Sequence, residues 1–368
     1  MFKNDRKKLQ DLLREVDGRI SVAHVLLDKV IPWAVAYDRE FAPGLLEDRG
    51  GRKLEVGTCL AGMPDAAGSF PEQGCGVHPN CLLHKASFAP HTVACPRHFW
   101  GFRHQIELPP QQSVDGAAPA SAPAQVRAGQ MPIMTIGMHG GLRFVDQHVD
   151  QLQHSTRESG RPPKLEEPQF GRIRVIHDLK RTDQDIVYLY CHAEGGYGTN
   201  IPEPAFRVRR RMAIGDVAEP PEEDPIQAVH IAGDPWPHNP LIVLNGCRTA
   251  AFRPNALSKF IAEFVYNRGA GGVLATEIAV FEELAGEIGT RFVRDFLDGK
   301  SAGQSLMVIR RDLLRRSNPL GLAYTLYATM DFHLGGEGPG TRQATSTEIS
   351  AGGGAQTTPE RELVTVGW

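Results

Sequence analysis

Two short apolar runs set the limits on what this chain can fold into: Asp185-Ile-Val-Tyr-Leu-Tyr-Cys-His192 and Pro240-Leu-Ile-Val-Leu-Asn-Gly-Cys-Arg-Thr249. Each is rich in β-branched, aromatic and Leu side chains, lacks helical spacing, and is bounded by Asp, Gly, Asn or Pro. Both therefore read as buried strands of a sheet. If the strands lie parallel, their C-terminal ends share one edge. Open α/β sheets bind ligands at that edge, because the chain leaves the strands there in loops that present side chains to a crevice. The first run delivers His192 to the edge and the second delivers Cys247.

The flanking sequence supports such a sheet. Pro132-Ile-Met-Thr-Ile-Gly-Met138 reads as a strand, followed by Gly140-Gly141 and an apolar stripe at Leu142, Val145, Val149 and Leu152. Strand, glycine turn and helix form the unit from which parallel sheets are built. Ile173, Val175, Ile176 and Leu179 indicate a short helix before the His192 run. Beyond Cys247, Leu257, Phe260, Ile261, Phe264 and Val265 mark a helix closed by Gly269-Ala-Gly-Gly272, and Val273-Leu-Ala-Thr-Glu277 another buried strand. Two further helices carry Phe281, Leu284, Ile288, Phe292 and Phe296, then Leu306, Ile309, Leu313 and Leu314, before a last strand at Leu322 to Tyr327. The expected fold class is α/β, a sheet with helices on both faces.

Outside this core the periodicity is weaker. Leu9, Leu12, Leu13 and Val16 form a helical stripe within a lead-in over residues 1–30. Ile31-Pro-Trp-Ala-Val-Ala-Tyr37 is expected to be a strand, with Pro32 near its start, and Phe99 to Glu107 resumes a strand-like pattern. The main domain then spans 31–334, with a Cys/His-rich insertion around 40–104 and a flexible Pro/Ala/Ser-rich linker at 109–130. Residues 199–239 read as a long connection with one short strand, and 335–368 as a disordered tail.

Composition narrows the partners. At 41% hydrophobic and 23% charged the chain is of ordinary globular type, and no apolar run approaches the ~20 residues that a spanning helix needs. With no signal-like stretch behind Met1, a cytoplasmic location and no membrane partner are the default expectations. The net charge of -3 argues against direct nucleic-acid binding, and Arg207-Val-Arg-Arg-Arg211 reads as a solvated loop. Four of the six cysteines, Cys59, Cys75, Cys81 and Cys95, lie in one histidine-rich region. Cys75, Cys81 and Cys95, with His78, His84, His91, His98 and His104, supply enough donors for a structural zinc site, although the spacing is not a paired C-x-x-C. Thiols and histidines packing a long loop are the competing reading.

A thiolate at Cys247 would be a strong nucleophile if an imidazolium lowered its pKa, and His192 on a neighbouring strand could do so and later protonate a leaving amine. Backbone N–H groups at Ala193 to Gly195 and at Cys247 could stabilise an oxyanion, with Gly195 and Gly246 allowing close approach. The competing reading is a buried core cysteine beside a hydrogen-bonded core histidine. Alternation places Cys191 on the face opposite His192, as packing.

At Tyr190-Cys-His-Ala193 and Leu244-Asn-Gly-Cys-Arg-Thr-Ala250 the chain resembles the CHAT family of caspase-like cysteine peptidase domains, related to caspases, separase and gingipains. Ile31-Pro-Trp33 is similar to the family's entry strand, and Gly269 to Glu277 to its segment after the nucleophile helix. Leu297 to Leu306 and Asn318 to Tyr324 look like its C-terminal elements, so the resemblance is spread over 31–334. It implies a mostly parallel caspase-like sheet, a catalytic dyad of His192 and Cys247, a protein substrate and no cofactor. One departure stands beside the dyad: the family's Gly after the catalytic His is Ala193 here.

The resemblance further implies bacterial regulated proteolysis or defence, with a sensor or activator protein and a substrate such as a gasdermin-like pore former. Glu277, just after a strand beside the nucleophile, could line a pocket for a basic side chain, whereas Glu282 fits a helix start. Two alternatives remain: a catalytically silent caspase-like scaffold that binds a partner protein, and a zinc-dependent nucleic-acid module over residues 59–104.

Overall fold

The computed structural model describes residues 18–22, 33–37, 57–58, 63–65, 68–70, 93–109, 125–126, 131–194, 205–208, 225–247, 260–278 and 280–335; at 57–58, 93–94, 192–194, 206 and 247 it describes the backbone. In chain order the strands are β1 (Arg19–Ser21), β2 (Gly57–Thr58), β3 (Val93–Ala94), β4 (Gln105–Glu107), β5 (Gln125–Val126), β6 (Ile133–Met138), β7 (Lys164–Leu165), β8 (Ile186–Glu194), β9 (Ala205–Arg207), β10 (Ile226–Gln227), β11 (Leu241–Cys247), β12 (Gly272–Thr276), β13 (Tyr324–Tyr327) and β14 (His333–Leu334). The α-helices are α1 (Trp100–Arg103), α2 (Val145–Arg157), α3 (Arg172–Lys180), α4 (Glu282–Leu297) and α5 (Ala302–Arg315).

Among the described residues, eight strands make the central sheet. β7, β6, β8, β11 and β12 run parallel in that order, and β13 closes one edge antiparallel to β12. The nine-residue β8 outruns β6: Ile186–Tyr190 pairs with β6, and His192–Glu194 pairs on the same side with the antiparallel β9, which β10 joins in turn. The parallel order follows from the crossovers, since each helix between parallel strands returns the chain to the start of the next strand.

Burial explains why the strands read as continuous apolar runs. Alternate residues of one strand serve two cores. Ile186, Tyr188, Tyr190, Leu241 and Val243 pack with α2, α4 and α5 residues such as Leu152, Phe292 and Ile309, whereas Val187, Leu189, Cys191, Ile242 and Leu244 pack with Val175 and Leu179 of α3 and with Phe260 and Phe264. The sheet is thus α/β, mostly parallel and covered on both faces, as expected. Cys191 lies buried in the second core, opposite the face of Tyr190.

Several elements depart from expectation. Trp33–Val35 is a 3-10 turn rather than a strand, and Tyr37 contributes a single bridge to Phe99. The apolar residues there are used in packing instead of a ladder: Trp33 stacks on Trp100 with ring centroids 6.0 Å apart. Within the strand-like Phe99 to Glu107 run, α1 precedes β4, and Gly101 is packed so closely that a Cβ would lie 2.7 Å from Leu322 and 2.8 Å from Ala34. Among the described residues, the 199–239 connection carries two short strands, β9 and β10, where one is expected. Leu322 and Ala323 belong to a 3-10 turn that Asn318 caps, and the closing strand begins at Tyr324. The helix after Cys247 is described from Phe260 and ends in a π-turn, Glu263–Asn267. The helix expected at 4–16, most of the 40–95 segment, most of the linker and the tail from 336 lie outside the described residues.

Candidate functional site

The catalytic candidates meet through the backbone. β8 and β11 pair in parallel register from Leu241↔Ile186 to Cys247↔His192, so the last partners of this ladder are the two residues that the sequence singles out. Register partners share a face of a sheet and sit on strands about 4.8 Å apart. Their face is that of Tyr188, Tyr190 and Val243. On its other side His192 is the partner of Arg207, so β8 is flanked at this level by both β11 and β9.

The proposed oxyanion positions divide. Ala193 pairs with Phe206 and Gly246 with Cys191 inside the ladders, whereas Gly195 lies outside the described residues. The Thr276 hydroxyl donates to the Gly246 carbonyl at 3.4 Å. This contact replaces the ladder to β12, whose last pair with β11 is Leu244↔Ala275.

Glu277 follows β12 at the same sheet edge. Its backbone N–H donates to Ala323 O at 2.8 Å, and its Oε1 accepts from Tyr327 Oη at 3.3 Å. Burial pushes the Glu277 carboxyl up to about 7, against the opposing influence of the Thr325 and Tyr327 hydroxyls and the Arg310 charge. Arg310 is itself buried, which lowers its pKa to about 10, and its guanidinium donates to the carbonyls of Tyr324, Gly321 and Gly101. Glu282 lies in the first turn of α4, where a carboxylate complements the helix dipole, and accepts from the Arg143 N–H at 2.8 Å.

Of the zinc candidates, Cys75 and Cys81 lie outside the described residues, and Cys95 is buried with its N–H donating to Tyr37 Oη at 3.1 Å. Among the described residues no group of three or more His, Cys, Asp or Glu side chains could hold a metal ion.

Sequence reasoning passed over a polar cluster beneath the Cys247↔His192 pair. Asn245, fully buried and two residues before Cys247, bonds to Tyr188, Ala285 and Tyr324; Tyr188 in turn meets His148 Nε2 at 2.8 Å. Desolvation lowers the His148 pKa to about 4, so the ring is neutral at pH 7. The available signal was Asn245 itself, a polar residue inside an otherwise apolar strand. A cleft between α2 and α4, lined in part by Phe144, His148, Glu282 and Thr290, runs along the same side of the sheet. Three of its charged side chains are already paired, Glu287 with Arg316, Arg291 with Asp312 and Arg294 with Asp298.

A mostly parallel α/β sheet with a histidine and a cysteine as partners at its C-terminal edge has the architecture of the caspase-like class. The chain belongs to the CHAT domain family, whose model matches residues 111–333. It is similar to a protein of Vitiosangium sp. (strain GDMCC 1.1324) named "Probable protease", with 32% identity over 274 residues. The match covers 73% of this chain and 33% of the relative, so the chain spans about a third of that relative's length. Among the described residues, no helix is long and apolar enough to cross a membrane.

Proposed function

We propose that the chain is a cysteine endopeptidase in which His192 and Cys247 form the catalytic dyad. The observation that carries the reading is the Cys247↔His192 register pair at the C-terminal end of two parallel strands. In the proposed cycle His192 promotes the Cys247 thiolate, the thiolate attacks the scissile carbonyl, and the imidazolium protonates the leaving amine. Water then hydrolyses the acyl-enzyme with His192 as base. The N–H groups at Cys247 and around Ala193 stabilise the oxyanion. The chemistry requires no metal or organic cofactor.

The family and the similar protein's name favour a protein substrate, and Glu277 favours a basic side chain at the cleaved position. A carboxyl held near pH 7 gains its full charge when an Arg or Lys enters beside it, which couples recognition to ionisation. We place the activity in bacterial regulated proteolysis or defence, with a sensor or activator protein and a substrate such as a gasdermin-like pore former. The test is cleavage of candidate protein substrates and of a peptide library by the full chain, by Cys247→Ala and by His192→Ala. Both variants should lose cleavage; activity retained by Cys247→Ala would overturn the reading. Ala193 favours a second reading, a catalytically silent scaffold that binds a partner protein, in which the wild-type chain itself cleaves nothing.

A further inference from the structure

We propose that Asn245 is a positioning residue for Cys247, fixing the end of the nucleophile strand against the histidine strand and α4 through a buried hydrogen-bond network. The inference rests on the dyad reading above.

The Asn245 amide is satisfied at both its nitrogen and its oxygen. Ala285 O, 2.7 Å from the Asn245 amide, can only accept, so the atom facing it is Nδ2. The second N–H of Nδ2 goes to Tyr188 Oη at 2.6 Å, and Oδ1 accepts the Tyr324 hydroxyl at 2.8 Å. Tyr188 Oη, which accepts from Asn245, lies 2.8 Å from His148 Nε2. Donation from Tyr188 to Nε2 would make His148 the Nδ1–H tautomer, with Thr290 Oγ1 3.5 Å from Nδ1. Neutral His148 is the form that accepts this bond, in keeping with its burial.

The location explains why such a network stands there. Pairing between β11 and β12 stops at Leu244↔Ala275, three residues before Cys247, whereas pairing with β8 continues to Cys247↔His192. On the β12 side, the end of β11 is held by the Asn245 amide and by the Thr276 contact to Gly246. An apolar side chain at 245 would fill the space without fixing the strand's height. A satisfied buried amide specifies one geometry because every alternative leaves polar groups unpaired. α4 is shaped to this purpose: a Cβ on Gly289 would lie 2.2 Å from Tyr188 Oη and 2.4 Å from Asn245 Nδ2.

The test reads the Cys247 thiol directly and needs no substrate. The iodoacetamide alkylation rate at Cys247, followed by peptide mass spectrometry across pH, is compared for the full-length wild type, His192→Ala, Asn245→Ala and Tyr324→Phe. The wild-type midpoint should lie below that of an ordinary thiol and rise in His192→Ala. Asn245→Ala should raise it by about one pH unit or more, and Tyr324→Phe by less in the same direction. A purely structural Asn245 would lower the melting temperature of Asn245→Ala while leaving the Cys247 midpoint at its wild-type value, which overturns the proposal. If Asn245→Ala fails to fold, Tyr324→Phe decides, and an unchanged midpoint there is equally fatal. A wild-type midpoint of an ordinary thiol, unmoved by His192→Ala, would instead remove the dyad reading and this inference with it.

Discussion

Asn245 Nδ2 and Tyr188 Oη lie 2.6 Å apart, a diagonal bond between the two strands whose ends carry Cys247 and His192. The bond is fully buried beneath the sheet edge, so the pairing of the candidate dyad is tied to a polar arrangement inside the core as well as to the β8–β11 ladder.

Gly289→Ala tests how tightly that arrangement is packed. Alanine in a helix interior gains about 1 kcal/mol over glycine. Here the new methyl would collide with Tyr188 Oη and Asn245 Nδ2, so overpacking and a displaced buried hydrogen bond oppose the gain, at roughly 1–3 kcal/mol each. A net loss of about 1–3 kcal/mol in urea unfolding is expected. A more stable Gly289→Ala protein would show that α4 does not press on the network.

Two buried groups should tilt the pH dependence of stability in opposite directions. Glu277 is raised to about 7, so its contribution is fully present below the unfolded carboxyl pKa of about 4.5 and is lost as pH rises through 7. His148 is lowered to about 4 from 6.5, so its contribution is present above 6.5 and is lost as pH falls towards 4. Glu277→Gln should therefore gain roughly 1–3 kcal/mol relative to wild type between pH 4.5 and 8. His148→Gln, which keeps an acceptor for Tyr188, should flatten the acid limb by a similar amount. Urea midpoints at pH 4.5, 6 and 8 check both, and parallel pH profiles for all three proteins would refute the assignments.

Most of the central sheet was legible because parallel strands buried on both faces leave unbroken apolar runs, and because glycines and amphipathic helices separate them. Register was less legible. No local pattern states that Cys247 pairs in register with His192, since pairing depends on how far each strand extends before its crossover. Trp33 to Tyr37 misled because aromatic alternation suits a strand, yet here it serves ring packing on Trp100 and Phe99. The polar network was hidden for a related reason: Asn245, Tyr188, His148 and Tyr324 are far apart in sequence and acquire meaning only when β11, β8, α2 and β13 meet.

Arg268 offers a test of the other core. It is fully buried, stacks over Trp236 at 4.0 Å and donates to Asp234 O at 2.7 Å and Ile231 O at 2.6 Å, anchoring the segment before β11 to the helix that follows it. Lysine keeps the charge but has neither the planar fork nor the stacking face. Arg268→Lys should cost about 2–4 kcal/mol in urea unfolding. A loss below about 0.5 kcal/mol would mean that the carbonyls find other donors.

Ala193 is the residue beside the candidate dyad that departs from the family pattern, and it separates the two functional readings. Its backbone pairs with Phe206 of β9, so the position is held in a ladder instead of a free loop. If the Ala193 N–H serves the oxyanion, glycine, with its wider backbone freedom, should let that N–H turn toward the carbonyl more readily. Ala193→Gly is then expected to raise kcat/KM on a cleaved peptide by about two- to tenfold, equivalent to roughly 0.4–1.4 kcal/mol of transition-state stabilisation. Cys247→Ala introduced into the same background should remove the gain. The scaffold reading requires that wild type be inactive. An Ala193→Gly protein that also cleaves no member of the library, while its Cys247 alkylates like an ordinary thiol, would favour the scaffold over the peptidase.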